Sequence, residues 1–162
     1  MNQPLPAGSD DRTEVPAPAG IRPFDGQLRP VAAVAVGGAA GALARWGVGL
    51  ALPTPHGGFP LGTFAINVVG CLLIGVLIVT ITELTDAHPL LRPFLASGFL
   101  GGFTTFSAYS VEIQLLLSDG HVGVAVGYLS ATLAAALAAT WAGMALARAA
   151  GSRRAGPGRV AR

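Results

Sequence analysis

A few polar and ionisable residues interrupt long apolar stretches, and these are the side chains that could do chemistry. Arg45 follows Gly37, Gly38 and Gly41 in the first stretch, Asn67 lies in the second, Glu112 in the third, and Tyr128, Ser130 and Thr132 in the fourth. Polar groups in such surroundings are costly and tend to face protein or a water-filled path. Arg45 is either a fixed positive charge that draws anions into a vestibule, or an arginine reaching back to the membrane surface beside Trp46. Asn67 offers two donors and an acceptor without net charge, for a helix–helix bond or for an anion path. Tyr128 and Thr132, four residues apart, share a helical face, as a short polar track or as hydroxyls bonded back to their own helix.

The third stretch holds the least helix-like segment: Gly98-Phe99-Leu100-Gly101-Gly102-Phe103-Thr104-Thr105-Phe106-Ser107-Ala108-Tyr109-Ser110. Two adjacent glycines followed by two threonines weaken a helix at mid-membrane. A break there frees carbonyls and amides that lipid cannot satisfy, so they must be buried or bind something. Broken helices at the midplane are a recurrent way to build ion sites, and freed carbonyl oxygens suit a hard cation. Phe106 and Tyr109 fall on one face if the helix resumes after the break.

The elements that must position these residues are legible from hydropathy. Only 11% of the 162 residues are charged, against about 25% in soluble domains. Between Val31 and Ala147 the charges are Arg45, Glu83, Asp86, Arg92, Glu112 and Asp119, and the rest sit in the two tails. Four apolar stretches, 31–52, 61–82, 89–117 and 122–147, each reach the roughly 20 residues needed to cross a bilayer. The sequence therefore predicts an all-α membrane protein of four transmembrane helices, the third of them broken, in one domain over 30–148. Residues 1–29, rich in Pro, Gly and Asp, and the Arg-rich 149–162 are expected to be disordered tails. No signal peptide is visible. Glycines on the spans suit close helix packing, since lipid supplies no hydrophobic drive between helices.

Every basic residue is arginine, and the core carries no basic stripe, so nucleic acid is not an expected partner. The single cysteine, Cys71, excludes an internal disulfide framework and reads as a small packing residue. Arg12, Arg22, Arg29, Arg92 and the C-terminal Arg148, Arg153, Arg154, Arg159 and Arg162 all fall on one side of an even-numbered bundle. The opposite loops have no Lys or Arg. The positive-inside rule then predicts a multi-pass plasma-membrane protein with both termini cytoplasmic.

Taken in order, the Gly-rich run ending in Arg45-Trp46, Gly62-Thr63-Phe64 with Asn67 and Gly70, and Gly98-Phe99 leading through Gly101-Gly102-Phe103-Thr104-Thr105-Phe106-Ser107 to Glu112 resemble the CrcB/Fluc family of fluoride channels. The resemblance covers roughly Val31 to Ala147. It implies a dimer of antiparallel four-helix subunits whose broken third helices cross at the centre. It also implies a structural Na⁺ held there by the backbone carbonyls of Gly101 and Thr104, and two pores along the subunit interfaces. By the same resemblance, Phe106 and Tyr109 form the aromatic wall of the fluoride path, with Ser107 beside them. Asn67 is the pore amide, Arg45 the vestibule arginine, and Tyr128 with Thr132 the polar track. The family usually has Phe where Tyr109 stands; Tyr keeps the ring edge and adds a hydroxyl donor. Fluoride would leave passively as an anion, driven by the cell-negative potential after entering as neutral HF, which lowers fluoride toxicity.

The lopsided arginines bear on assembly. The family often inserts in both orientations, whereas this bias favours one. A heterodimer with an oppositely oriented paralogue therefore stands beside a dual-topology homodimer. Two other functions fit the sequence less well. A small four-span multidrug or cation exporter working by proton exchange needs a carboxylate in its first span, which here holds Arg45 and no acid. A non-transporting scaffold needs neither Asn67 nor a broken third span. An enzyme is not expected, because no nucleophile–base or metal constellation appears. Glu112 has no assigned role at this level.

Overall fold

An apolar chain that enters lipid must bond its backbone amides and carbonyls within itself, and helices do this segment by segment. The computed structural model describes residues 26–84 and 88–154. It contains α1 (Leu28–Ala51), α2 (Leu61–Val79), α3, α4 (Phe106–Ser118) and α5 (Val122–Arg154). The helix α3 is π-helical over Pro93–Leu100 and continues α-helically over Gly101–Phe103, while a π-helical turn at Thr80–Leu84 prolongs α2. Pro93 opens α3, where its missing N–H costs nothing. No strand occurs among the described residues.

Three helices, Leu28–Ala51, Leu61–Glu83 and Val122–Ser152, are each long and apolar enough to cross a membrane. Large apolar side chains such as Leu43, Leu133 and Trp141 point outward along them. Water would penalise such a surface and lipid does not. The chain is a multi-pass, all-helical membrane protein. The third apolar stretch is divided into α3 and α4. Element ends differ from the sequence reading at both tails. Helix α1 begins at Leu28, and α5 runs to Arg154, because Ala149 and Ala150 are strong helix formers that continue it. The rest of the expected tails, 1–25 and 155–162, lies outside the described residues.

The break is displaced from where the glycines suggest. Gly101 is helical, at φ −64° and ψ −35°, whereas Thr104 (φ −78°, ψ 160°) and Thr105 (φ −150°, ψ 125°) are extended. Beta-branched residues accept extended backbone readily, and these two finish one helix and start the next. The Thr104 hydroxyl donates to the Leu100 carbonyl at 2.9 Å, and the Thr105 hydroxyl accepts from the Ala108 amide at 3.2 Å as the N-cap of α4.

The neighbouring glycines serve packing instead. The most extensive contacts are α1 on α3 and α2 on α5. A Cβ on Gly41 would strike the Phe99 carbonyl and lie 2.8 Å from the Phe103 amide nitrogen, and one on Gly102 would strike the Gly38 carbonyl. Gly75 and Gly143 stand in the same relation to the backbones of α5 and α2. Such close approach gains dispersion along the backbones themselves. At one end, Arg148 of α5 grips Glu83 after α2 with two guanidinium nitrogens, at 2.8 and 3.0 Å.

Candidate functional site

Extended backbone inside lipid needs partners, and the break obtains them from other helices. The side chain of Asn67, on α2, meets Thr105 twice. Its Nδ2 donates to the Thr105 carbonyl and its Oδ1 accepts from the Thr105 amide, both at 3.0 Å. Thr105 is buried, so each of these groups left unpaired would cost about 1–3 kcal/mol. Asn67 is thus first a clamp on the break, with its second N–H left for the neighbouring groove. Arg45, on α1, turns its guanidinium inward, and Nη1 donates to the Thr104 carbonyl at 3.2 Å. The guanidinium is thereby engaged by the break.

A groove of about 450 Å³ opens beside the break, lined by Asn67, Gly101, Thr104, Thr105, Phe106, Tyr109, Thr132 and apolar neighbours. Phe106 and Tyr109 lie together on α4, with ring centroids 5.9 Å apart. Phe106 is 80% exposed. Thr132 is buried, and its hydroxyl has no hydrogen-bond partner among the described residues. A threonine on a membrane helix ordinarily bonds back to its own backbone, as Thr140 does to Ala136 at 3.0 Å. Cys71 is half-buried and also lines the groove.

Three other residues sit differently from the sequence reading. The Tyr109 hydroxyl donates to the Leu129 carbonyl at 3.1 Å. It fastens α4 to α5 and is not the additional path donor that was expected. Tyr128 shares a helix face with Thr132 but is fully buried between the rings of Phe59 and Tyr109, and it donates its hydroxyl to Glu112 at 2.7 Å. Ser107 is exposed outside the groove lining, with its hydroxyl 3.3 Å from that of Thr105.

Glu112 is the functional candidate that sequence reasoning left without a role. One carboxylate oxygen accepts from the Thr63 hydroxyl and the other from Tyr128, both at 2.7 Å, so α2, α4 and α5 converge on one acid. The available signal was its position as an acid well inside an apolar stretch; the partners are remote in sequence. A second cavity, of about 220 Å³, is lined by Arg45, Thr63, Thr105 and Glu112. It brings a cation and an anion to one cavity without an ion pair between them among the described residues.

The carbonyls named for a cation can be tested against this geometry. In an unbroken helix the Thr105 amide would bond the Gly101 carbonyl; here it goes to Asn67, which releases that oxygen. The Thr104 carbonyl has one lone pair on Arg45 and keeps a second. Carbonyl oxygens outside the helical ladder are the donor type a hard cation takes, and the Arg45 guanidinium already sits on the one at Thr104.

An all-helical membrane protein with a clamped, unwound segment beside an aromatic groove has the features of an ion pathway. Residues 32–144 match the family described as CrcB-like protein, Camphor Resistance (CrcB), and the chain belongs to that family. A relative from Streptomyces coelicolor, named fluoride-specific ion channel FluC 1, is 50% identical over 130 residues, spanning 80% of this chain and 82% of its own. One from Streptomyces avermitilis, fluoride-specific ion channel FluC 2, is 53% identical over 120 residues, 74% of this chain and 76% of its own. The fluoride-specific ion channel FluC of Paracoccus denitrificans is 42% identical over 115 residues, 71% of this chain and 91% of its own.

Proposed function

We propose that this protein is a fluoride-selective ion channel that exports cytoplasmic fluoride by passive electrodiffusion. The observation that carries the reading is the orphan Thr132 hydroxyl, buried in a groove that the rings of Phe106 and Tyr109 also line. Fluoride is small and strongly hydrated, so a pore must replace its water. A hydroxyl donor, the spare Asn67 N–H and the positive edges of aromatic rings do so without trapping the ion. Arg45 supplies an attractive potential in the vestibule, and the N-terminal end of α4 points its positive dipole at the break. None of these groups calls for ATP or a covalent intermediate, which accords with passive conduction. Fluoride efflux from liposomes tests the reading. Robust fluoride flux with little chloride flux is expected, and equal flux of the two ions would overturn selectivity.

The same reading includes an antiparallel dimer of four-span protomers. The groove and Phe106 are open on the single protomer, and a second copy laid across them would close each path. A sodium ion held by the Gly101 and Thr104 carbonyls of both copies would supply a fixed positive charge tying the two breaks together. The one-sided arginines favour fixed insertion with cytoplasmic termini, hence pairing with an oppositely oriented paralogue. The occurrence of relatives named FluC 2 and FluC 3 in Streptomyces avermitilis supports that pairing. Reporter fusions to the C-terminus distinguish the arrangements: signal from the cytoplasmic side alone is expected, and an even split between sides would establish dual topology instead.

A further inference from the structure

Aromatic rings form a column that ends beside the break. Ring centroids lie 5.1 Å apart for Phe59 and Tyr128, 5.2 Å for Tyr128 and Tyr109, and 5.9 Å for Tyr109 and Phe106. The first two contacts are edge to face, an arrangement that aromatic pairs prefer, and the last is tilted. The middle of the column is fixed, because Tyr128 is fully buried and its hydroxyl donates to Glu112 at 2.7 Å. Tyr109 is half-buried between Tyr128 and Phe106, and its hydroxyl reaches from α4 to the Leu129 carbonyl of α5 at 3.1 Å.

The position of that acceptor matters. Leu129 lies inside α5, so one lone pair of its carbonyl belongs to the amide of Leu133, one helical turn on. The second lone pair is within reach of a hydroxyl three residues on, which is that of Thr132. Helical hydroxyls of this chain take such acceptors. Thr80, Ser110 and Thr140 donate to the carbonyl four residues back, and Ser118 and Ser152 to the carbonyl three residues back. Thr132 does neither. Its hydroxyl is buried and without a partner among the described residues, in the groove that Phe106 and Tyr109 line. By filling the spare lone pair of Leu129, Tyr109 removes one of the two local acceptors open to Thr132.

We infer that the Tyr109 hydroxyl is a positioning group for the fluoride path: by occupying the Leu129 carbonyl it holds the ring edge beside Phe106 and keeps the Thr132 hydroxyl free to donate into the groove. This deepens the channel reading above and rests on it. The phenolic hydroxyl does not meet the ion. It acts through Thr132, whose O–H takes a place in the shell of a fluoride that has shed water. Without the phenolic hydroxyl the Leu129 carbonyl regains an open lone pair, Thr132 turns back to it, and the groove loses a donor. The ring loses the bond that fixes its tip, while its edge contact with Tyr128 is kept.

The test is a double-mutant cycle of Tyr109→Phe and Thr132→Val, read as fluoride efflux from liposomes. Tyr109→Phe keeps the ring. Thr132→Val keeps the side-chain shape and removes a buried hydroxyl that has no partner, so neither change threatens the fold. Each single variant is expected to lower fluoride flux about fivefold, the worth of one hydrogen bond. The double variant is expected to match Thr132→Val alone, because the tyrosine hydroxyl then has no donor left to free. A bond that only fastened α4 to α5 would lower flux equally on both backgrounds. Tyr109→Phe flux equal to wild type, Thr132→Val flux equal to wild type, or a further loss of similar size from Tyr109→Phe on the Thr132→Val background would each overturn the inference. Absence of selective fluoride flux from the wild type would instead remove the channel reading beneath it.

Discussion

Replacing Phe106 by isoleucine is expected to cut fluoride flux at least about tenfold while leaving the protomer folded, equivalent to about 1.4 kcal/mol on the conduction barrier. The reason lies in where the ring stands. It begins α4 directly after the break, beside Tyr109, and faces outward from the single protomer at 80% exposure. Isoleucine keeps the apolar bulk and loses the electropositive ring edge that can replace a hydration shell. Because so little of Phe106 is buried within the protomer, the exchange leaves no cavity. Loss of flux would therefore report on the path and not on the fold. Liposome efflux and a thermal melt in detergent, run on the same preparation, check the two halves of the claim. Unaltered fluoride flux would remove Phe106 from the path.

The second large effect is expected from Gly41→Val. A branched side chain there must displace the Phe99 carbonyl and the Phe103 amide, both on α3. Overpacking a well-filled core costs typically about 1–3 kcal/mol, and rigid backbone on the receiving side puts this case at the upper end. Since α3 carries the break, forcing α1 away from it also pulls Arg45 off the Thr104 carbonyl. The expected outcome is loss of the monodisperse peak in size-exclusion chromatography together with loss of flux. Gly47→Ala is the internal control. It stands on the same helix with open space around it, and alanine in a helix interior gains about 0.5–1 kcal/mol over glycine. A Gly41→Val protein as well behaved as Gly47→Ala would mean that close approach of α1 and α3 is dispensable.

These cases show which links of the argument are visible in sequence. The four apolar stretches declare the helices, because lipid leaves a chain so few alternatives. That the third would be interrupted was legible in the run from Gly101 to Thr105, but its position was not. Glycine is a poor helix former in isolation, yet here Gly101 stays helical and so does Gly102, packed closely against Gly38 of α1, while the threonines, able to cap with their own hydroxyls, take the extended turn. Local propensity lost to tertiary contact.

The site divides in the same way. Phe106 and Tyr109 could be paired from spacing alone, and Asn67 could be singled out as a polar group in lipid. What Asn67 holds could not be read, because Thr105 is 38 residues away. The meeting of Thr63, Glu112 and Tyr128 needs three helices at set rotations, and no periodicity in one strand of sequence encodes that. The Tyr109 hydroxyl is the instructive miss. Its chemistry was read correctly as a donor, but a donor serves whichever acceptor the packing presents, and that is the Leu129 carbonyl.

The length of α5 has a consequence for how such a protein sits in a cell. Its 33 residues rise about 50 Å at 1.5 Å each, some 20 Å more than the hydrocarbon thickness of a bilayer. Even with tilt, the final turns stand clear of the acyl chains as a cationic stub that begins at Arg148, which Glu83 anchors. With the C-terminus on the proposed cytoplasmic side, anionic phospholipid of the inner leaflet would welcome such a stub. An inverted copy would have to thrust the same protrusion through to the outer surface, where that attraction is absent, and a companion chain with a shorter fourth helix would be spared the crossing.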